Sequence, residues 1–200
     1  MFACWMRVLA QVPGSVLWTS IEWPQAKARL QAFAAGQGID PERLEFAPVI
    51  APQAHLARLP AADLFPDCFP YSAGATAGQC VGQGVPLIAL TGETYVSRIA
   101  TAVLHAVGCD ELAVSSIEDY ERLAVRLGRS DAERIAWRAR VRSSVGEARM
   151  FQPAAMATAV ETACASLWHA FCNSARHDVL YDNPRAGEQR DLPPGRQALP

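Results

Sequence analysis

The stretch that decides the fold is Val85-Pro86-Leu87-Ile88-Ala89-Leu90, the clearest strand signal in the chain. A short continuous apolar run, rather than an alternating one, is typical of a strand buried on both faces of a parallel sheet. Shorter runs of this kind occur along the sequence at 16–18, 44–49, 62–65 and 111–114. The sequence therefore predicts several buried parallel strands.

Helical patterns separate these strands. They cover 24–38, 55–58, the small-residue stretch after 69–76, 94–106, 117–127, a segment from Ser130 onward, and 153–172. Strands that alternate with helices indicate an α/β fold, a Rossmann-like parallel sheet with helices on both faces, here followed by C-terminal helices. We expect residues 1–181 to form this domain. The segment 182–200 is rich in Pro, Gly and charge and is expected to be a disordered tail.

Two helix ends carry specific signals. Ser115-Ser116-Ile117-Glu118 matches a capping box, and Gly128 is placed to end the helix that follows. Ser130 followed by Glu133 repeats the start signal for the next helix.

Composition and charge restrict the classes of partner. The formal net charge is −2, so no general attraction to nucleic acid or to an anionic membrane is expected. The apolar segment 1–18 is interrupted by Arg7 and lacks a basic start, which argues against a signal peptide or membrane span. The six cysteines have no metal-ligand spacing and are expected to be reduced thiols. The chain is therefore predicted to be cytoplasmic.

Ligands of parallel α/β sheets bind beyond the carboxyl ends of the strands. One loop at such a position is Ser72–Gly78, where Gly74, Ala75 and Thr76 let a ligand approach the main chain. A helix beginning there offers unpaired N–H groups and the positive end of its dipole to a diphosphate. Close packing of small residues against the sheet, without a ligand, explains the same pattern equally well. The loop is neither G-x-G-x-x-G nor a P-loop.

A second loop, 51–58, also follows a predicted strand. His55 and Arg58 are three residues apart and would share one face of a helix, although such a pair is more often a surface feature than a site. Asp63 and Asp67 flank the predicted strand at 62–65, a commonplace position for acids. We find no catalytic triad, paired-carboxylate signature or metal cluster in the sequence.

Together these segments resemble one family, the SPINDLY-type O-linked N-acetylglucosamine transferases, in their C-terminal domain. The resemblance runs from about residue 2 to residue 172. It is carried by Trp5-Met6-Arg7-Val8-Leu9, Val12-Pro13-Gly14-Ser15-Val16-Leu17-Trp18, Gly38 to Pro48, His55-Leu56-Ala57-Arg58, Ala62-Asp63-Leu64-Phe65-Pro66-Asp67 and Gly92-Glu93-Thr94-Tyr95-Val96-Ser97-Arg98.

The resemblance implies the C-terminal half of a GT-B glycosyltransferase, with a UDP-sugar as donor substrate, a protein Ser or Thr as acceptor, and no metal or other cofactor. The resemblance implies two groups of UDP-sugar contacts. In the first loop, His55 and Arg58 contact the nucleotide, main-chain groups near Ala51 contact the uracil, and Gln53 stands in place of a basic residue. In the second loop, Gly74-Ala75-Thr76 surrounds the diphosphate and Gln79 lies at the ribose.

The chain also departs from the family pattern. Of the family's His-Thr-Thr run only Thr76 is retained, and Gln79 replaces an Asp. The family's N-terminal Rossmann domain with its tetratricopeptide repeats has no counterpart here, nor has the central opening strand with its phosphate-binding Lys. These departures fit a truncated gene product, a mis-set start, or a piece that needs a partner, for which the missing N-terminal half is the candidate. We assign no catalytic residue. The alternative is a non-catalytic remnant or binding module, while the missing glycine fingerprint disfavours a nicotinamide-dependent oxidoreductase.

Overall fold

Strands and helices alternate along the chain as predicted. The computed structural model describes residues 1–173. Its strands are β1 (Leu17–Thr19), β2 (Leu44–Phe46), β3 (Phe65–Pro66), β4 (Leu87–Leu90) and β5 (Ala113–Val114). Its α-helices are α1 (Phe2–Gln11), α2 (Pro24–Gly36), α3 (Pro52–Arg58), α4 (Ala75–Gly82), α5 (Ile99–Ala106), α6 (Ile117–Arg129), α7 (Asp131–Val145) and α8 (Pro153–Cys172). The predicted α/β class is confirmed.

Every strand pairing is parallel, but the strands form two sheets. β1 pairs with β2, with Leu17 opposite Leu44, and the second sheet has the order β3-β4-β5. Within the described residues, only β4 has a hydrogen-bonded strand on both sides. The sequence indicates parallel strands but does not reveal that they divide into two sheets.

The main core surrounds β4. All four of its residues are buried, which is the burial that the continuous apolar run predicts. Leu104 of α5 and Leu127 of α6, both fully buried, pack in the same cluster. A second cluster lies around the other sheet and contains Leu17 and Leu44.

Helix α1 connects the two clusters. The Trp5 ring packs against both of them, and its Nε1 donates to the Tyr120 hydroxyl of α6 over 3.1 Å. The guanidinium of Arg7 forms an ion pair with Glu121 at 2.7 Å. Because the Arg7 side chain is half exposed to solvent, we attribute the docking of α1 mainly to the packing of Trp5.

Two predicted elements are divided by 3-10 turns. The predicted helix 94–106 begins as a 3-10 helix at Tyr95–Ser97, with a capping box between Thr94 and Ser97, and becomes α-helical only in α5. The predicted strand 111–114 is a 3-10 helix at Asp110–Leu112 followed by two-residue β5. In both places local side-chain and turn hydrogen bonds compete with the regular ladder.

The ends of α6 also differ from the prediction. Ser116, rather than Ser115, is the N-cap and accepts from the Asp119 amide over 3.1 Å. The helix continues through Gly128 to Arg129. A Cβ at position 128 would lie 2.8 Å from a Val12 methyl group, so this glycine permits a close approach of the chain after α1 instead of ending the helix.

Residues Met1–Gln152 form one compact unit, and α8 belongs to a second unit that begins at Pro153. The predicted helix 153–172 is confirmed as α8. The tail predicted at 182–200 lies outside the described residues.

Candidate functional site

The loop that leads into α3 presents its polar residues on one side. Ala51 is the N-cap and Pro52 occupies the first turn, where a missing N–H costs little. Ala51 and Gln53 are both exposed, and His55 is half-buried. The expected i, i+3 contact is present, because Arg58 Nη2 lies 3.1 Å from His55 Nδ1.

The Arg58 side chain is held on three sides. Its Nη1 donates to the Pro48 carbonyl over 2.8 Å, and its guanidinium carbon lies 5.3 Å from the centroid of the Trp18 ring. Since a guanidinium has no acceptor, His55 Nδ1 must accept in this contact, so in the neutral ring the proton is on Nε2. That Nε2–H is a donor for a ligand. Arg58 Nε is a buried donor for which no partner is present among the described residues.

The loop before α4 ends in an uncapped helix start. Gly74 is the N-cap, and no side chain forms a cap hydrogen bond there. Ala75 is exposed, and Thr76 and Gln79 are half-buried one turn apart, while Ala77 and Cys80 face the core. The amides of this first turn are therefore not blocked by protein side chains, the condition that an anion site at a helix start requires.

A buried carboxylate orders this loop. Asp67 follows β3 and is fully buried. One of its oxygens accepts from the Ala73 amide (2.8 Å) and the other from the Ser72 hydroxyl (2.7 Å). Burial raises the pKa of the Asp67 carboxyl, and these two hydrogen bonds oppose that shift. The sequence gives no reason to separate this residue from the exposed Asp63.

The two loops share an apolar support. Leu59, directly after α3, and Cys80 of α4 pack in one small buried cluster, with Leu56 against it. Within residues 1–173, no hydrogen bond or ion pair joins the predicted binding residues of one loop to those of the other. Each loop therefore offers its own set of ligand groups.

Comparison with known proteins places these loops in a family. The sequence model of Glycosyl transferase family 41 matches residues 1–160, a span that contains both loops. The chain belongs to this family.

Relatives in family 41 carry transferase names. A UDP-N-acetylglucosamine–peptide N-acetylglucosaminyltransferase of Caenorhabditis elegans is 32% identical over 155 residues, 74% of this chain and 13% of the relative. The probable enzyme SEC of Arabidopsis thaliana is 30% identical over 172 residues, 84% of this chain and 17% of the relative. The probable enzyme SPINDLY of Oryza sativa subsp. japonica is 22% identical over 189 residues, 90% of this chain and 20% of the relative.

A solved structure supports the same assignment. A mutant O-GlcNAc transferase of Thermobaculum terrenum superposes with a TM-score of 0.81 at 26% identity, covering 88% of this chain and 34% of that chain. The resemblance to the family and to its GT-B fold is thus confirmed. The chain spans between 13% and 20% of the length of the three curated relatives.

Three further kinds of feature bear on ligand chemistry in the described part of this family 41 chain: metal-ligand groups, membrane-spanning helices and cavities. Residues 1–173 hold no group of three or more His, Cys, Asp or Glu side chains placed for a metal ion. None of the described helices has the length and apolar character needed to span a bilayer. A shallow cavity of about 310 Å³ is lined by Gln11, Glu118, Glu121, Arg122 and Val125, and includes no predicted site residue.

Proposed function

We propose that this chain is the donor-binding part of an O-GlcNAc transferase-like glycosyltransferase. Its ligand is UDP-N-acetylglucosamine or a similar UDP-sugar, and the acceptor of the whole enzyme is a Ser or Thr hydroxyl of a protein. The observation that carries the proposal is the family 41 match over residues 1–160, which includes both ligand loops. The names of the relatives supply the donor and the peptide acceptor.

The geometry of α4 agrees with the diphosphate part of this proposal. Its uncapped first turn offers main-chain N–H groups and the positive end of the helix dipole. Thr76 adds a hydroxyl donor one residue into the helix. These groups would also stabilise negative charge on the departing diphosphate without a metal ion.

The geometry of α3 agrees with the nucleotide part. The His55–Arg58 contact fixes the imidazole so that its Nε2 is available, and Ala51 and Gln53 are exposed beside it. Because the chain spans only 13% of the Caenorhabditis elegans relative, we assign only donor binding to this chain and name no catalytic residue.

The proposal is tested by titrating the chain with UDP, following heat release and the thermal midpoint. Ligand that binds only the folded state raises the midpoint. Replacing His55→Ala removes a donor to a charged or polar ligand group, and loss of such a bond, about 1.5 kcal/mol or more, weakens binding roughly tenfold.

The matched control is His169→Ala, the same change at an exposed position of α8. It should leave UDP binding unchanged. If millimolar UDP neither releases heat nor shifts the midpoint of the unmodified chain, the proposal is wrong, and the alternative of a binding-incompetent module of the same fold is favoured.

A further inference from the structure

Asp67 is an unusual residue in this core because its carboxylate is buried without a cation. Its exposed fraction is zero, and no Arg, Lys or His of the described residues forms an ion pair with it. Buried carboxylates are normally paired with a cation or bound to a metal. The position therefore calls for a physical explanation.

The main chain of Asp67 contacts two elements, β4 and α6. The Asp67 amide donates to the Ile88 carbonyl of β4 over 2.9 Å. The Tyr120 hydroxyl of α6 donates to the Asp67 carbonyl over 2.8 Å, and Trp5 of α1 donates in turn to Tyr120. The Cys68 thiol is its neighbour in sequence, and its pKa is raised mainly by burial and further by the negative charge of Asp67. None of these groups supplies a positive charge.

The carboxylate is instead held by the loop before α4. Ser72 donates its hydroxyl to Asp67 and at the same time accepts from the amide of Ala100, in the first turn of α5, over 2.9 Å. The Ser72 amide donates to the Val96 carbonyl over 2.9 Å. The Ala73 amide, the last before the N-cap Gly74, donates to the other carboxylate oxygen. These bonds fix the chain immediately ahead of α4.

This arrangement costs stability in the folded state. Burial raises the pKa of the Asp67 carboxyl, which means that the charged form is less favourable in the fold than in the unfolded chain. A neutral amide of the same size avoids this cost but offers only one acceptor to the two donors of the loop. What the carboxylate provides, and a neutral group does not, is two strong acceptors for the loop.

We propose that Asp67 is a positioning residue for the diphosphate part of the donor site. Through Ser72 and Ala73 it sets the conformation of the chain at Gly74, and thereby the direction of the first amides of α4. This inference rests on the proposed function, because it concerns the same UDP site. Asp67 itself does not contact the donor.

The test is Asp67→Asn, an isosteric change that removes the charge and turns one acceptor into a donor. UDP binding should weaken about tenfold, because a displaced first turn of α4 would lose the equivalent of about one amide–phosphate hydrogen bond. The free energy of unfolding in the absence of ligand should change little, because removal of the buried charge and loss of one acceptor act in opposite directions. The control is Asp63→Asn, at an exposed position four residues earlier, which should change neither quantity.

A second readout separates positioning from general damage. Uridine lacks the diphosphate, so Asp67→Asn should leave its binding, measured by NMR titration, unchanged while UDP binding falls. Ser72→Ala removes the hydroxyl that donates to the carboxylate. It should also lower the ratio of UDP affinity to uridine affinity. This variant keeps the test decisive if Asp67→Asn does not fold.

Three results overturn the inference. Equal UDP affinity of Asp67→Asn and the unmodified chain would show that the carboxylate positions nothing. An equal loss of UDP and uridine binding, accompanied by lower stability, would show a purely structural role. An unmodified chain that binds no UDP would refute the proposed function, and this inference with it, whereas the first two results leave the proposed function intact.

Discussion

The two sheets of this chain satisfy their polar groups to different degrees. Around β3-β4-β5 the buried polar side chains, those of Asp67, Ser72 and Ser97, all have hydrogen-bond partners. Around β1-β2, two buried side-chain atoms have no hydrogen-bond partner among the described residues: Thr19 Oγ1 and Arg58 Nε. Thr19 belongs to β1, and the Arg58 guanidinium stacks on Trp18 of the same strand.

This difference bears on the site, because one candidate loop follows each sheet. The loop before α4 follows β3, in the sheet whose buried polar side chains have partners, and its backbone is fixed by buried hydrogen bonds. The loop before α3 follows β2, an edge strand, and its polar residues are exposed or half-buried. We therefore expect changes in the first region to cost more stability than equivalent changes in the second.

The largest expected effect is at the centre of β4. Ile88→Ala removes a fully buried side chain and should lower the free energy of unfolding by about 2–5 kcal/mol, measured by urea denaturation. Leu17→Ala, in β1 where 9% of the side chain is exposed, should cost less, because β1 has room to relax at its open edge. If Leu17→Ala lowers the free energy of unfolding as much as Ile88→Ala or more, the two sheets do not differ in their contribution to stability.

An intermediate effect is expected at Tyr120. Tyr120→Phe removes the hydroxyl that donates to the Asp67 carbonyl and accepts from Trp5. Both partners are left unsatisfied in or near the core, so the free energy of unfolding should fall by about 1–3 kcal/mol. Urea denaturation with circular dichroism measures it. No loss would mean that the polar network of this region contributes nothing to stability.

The smallest effect, of opposite sign, is expected at Thr19. Thr19→Val replaces a buried hydroxyl that has no partner with a methyl group of similar size. The unfolding free energy should stay within about 0.5 kcal/mol or rise, because no bond is lost and an unsatisfied group is removed. A clear destabilisation would show that the Thr19 hydroxyl forms a hydrogen bond in solution. The buried polar groups around both sheets would then have partners.

The strands and helices that follow from local sequence were predicted well. The apolar run of β4 and the N-cap at Ser130 each depend on a few neighbouring residues and on no distant contact. The structure has both. The division of 94–106 was missed because Thr94 and Ser97 form a capping box inside a pattern that otherwise favours one helix. Periodicity does not report such a local competition.

Within the candidate site, the one contact that local sequence predicts is present. His55 and Arg58 stand three residues apart in the sequence, so helix geometry alone brings them together. Asp67 and Asp63 have similar surroundings in the sequence, and only the folded chain separates the buried one from the exposed one. The partners that distinguish Asp67 include Tyr120, 53 residues away, a separation that no local pattern encodes. The roles assigned to the loop residues stay predictions.

The contact between α1 and α6 has a consequence for the order in which the protein folds. Trp5 and Tyr120 are 115 residues apart in the chain, and the Arg7–Glu121 pair closes a loop of similar length. Contacts this distant in sequence slow folding, because the intervening chain must be ordered before they form. The face of α1 that packs on α6 is therefore covered late in folding, whereas Met6 and Leu9 on the same helix can pack earlier against the nearby cluster of β1 and β2.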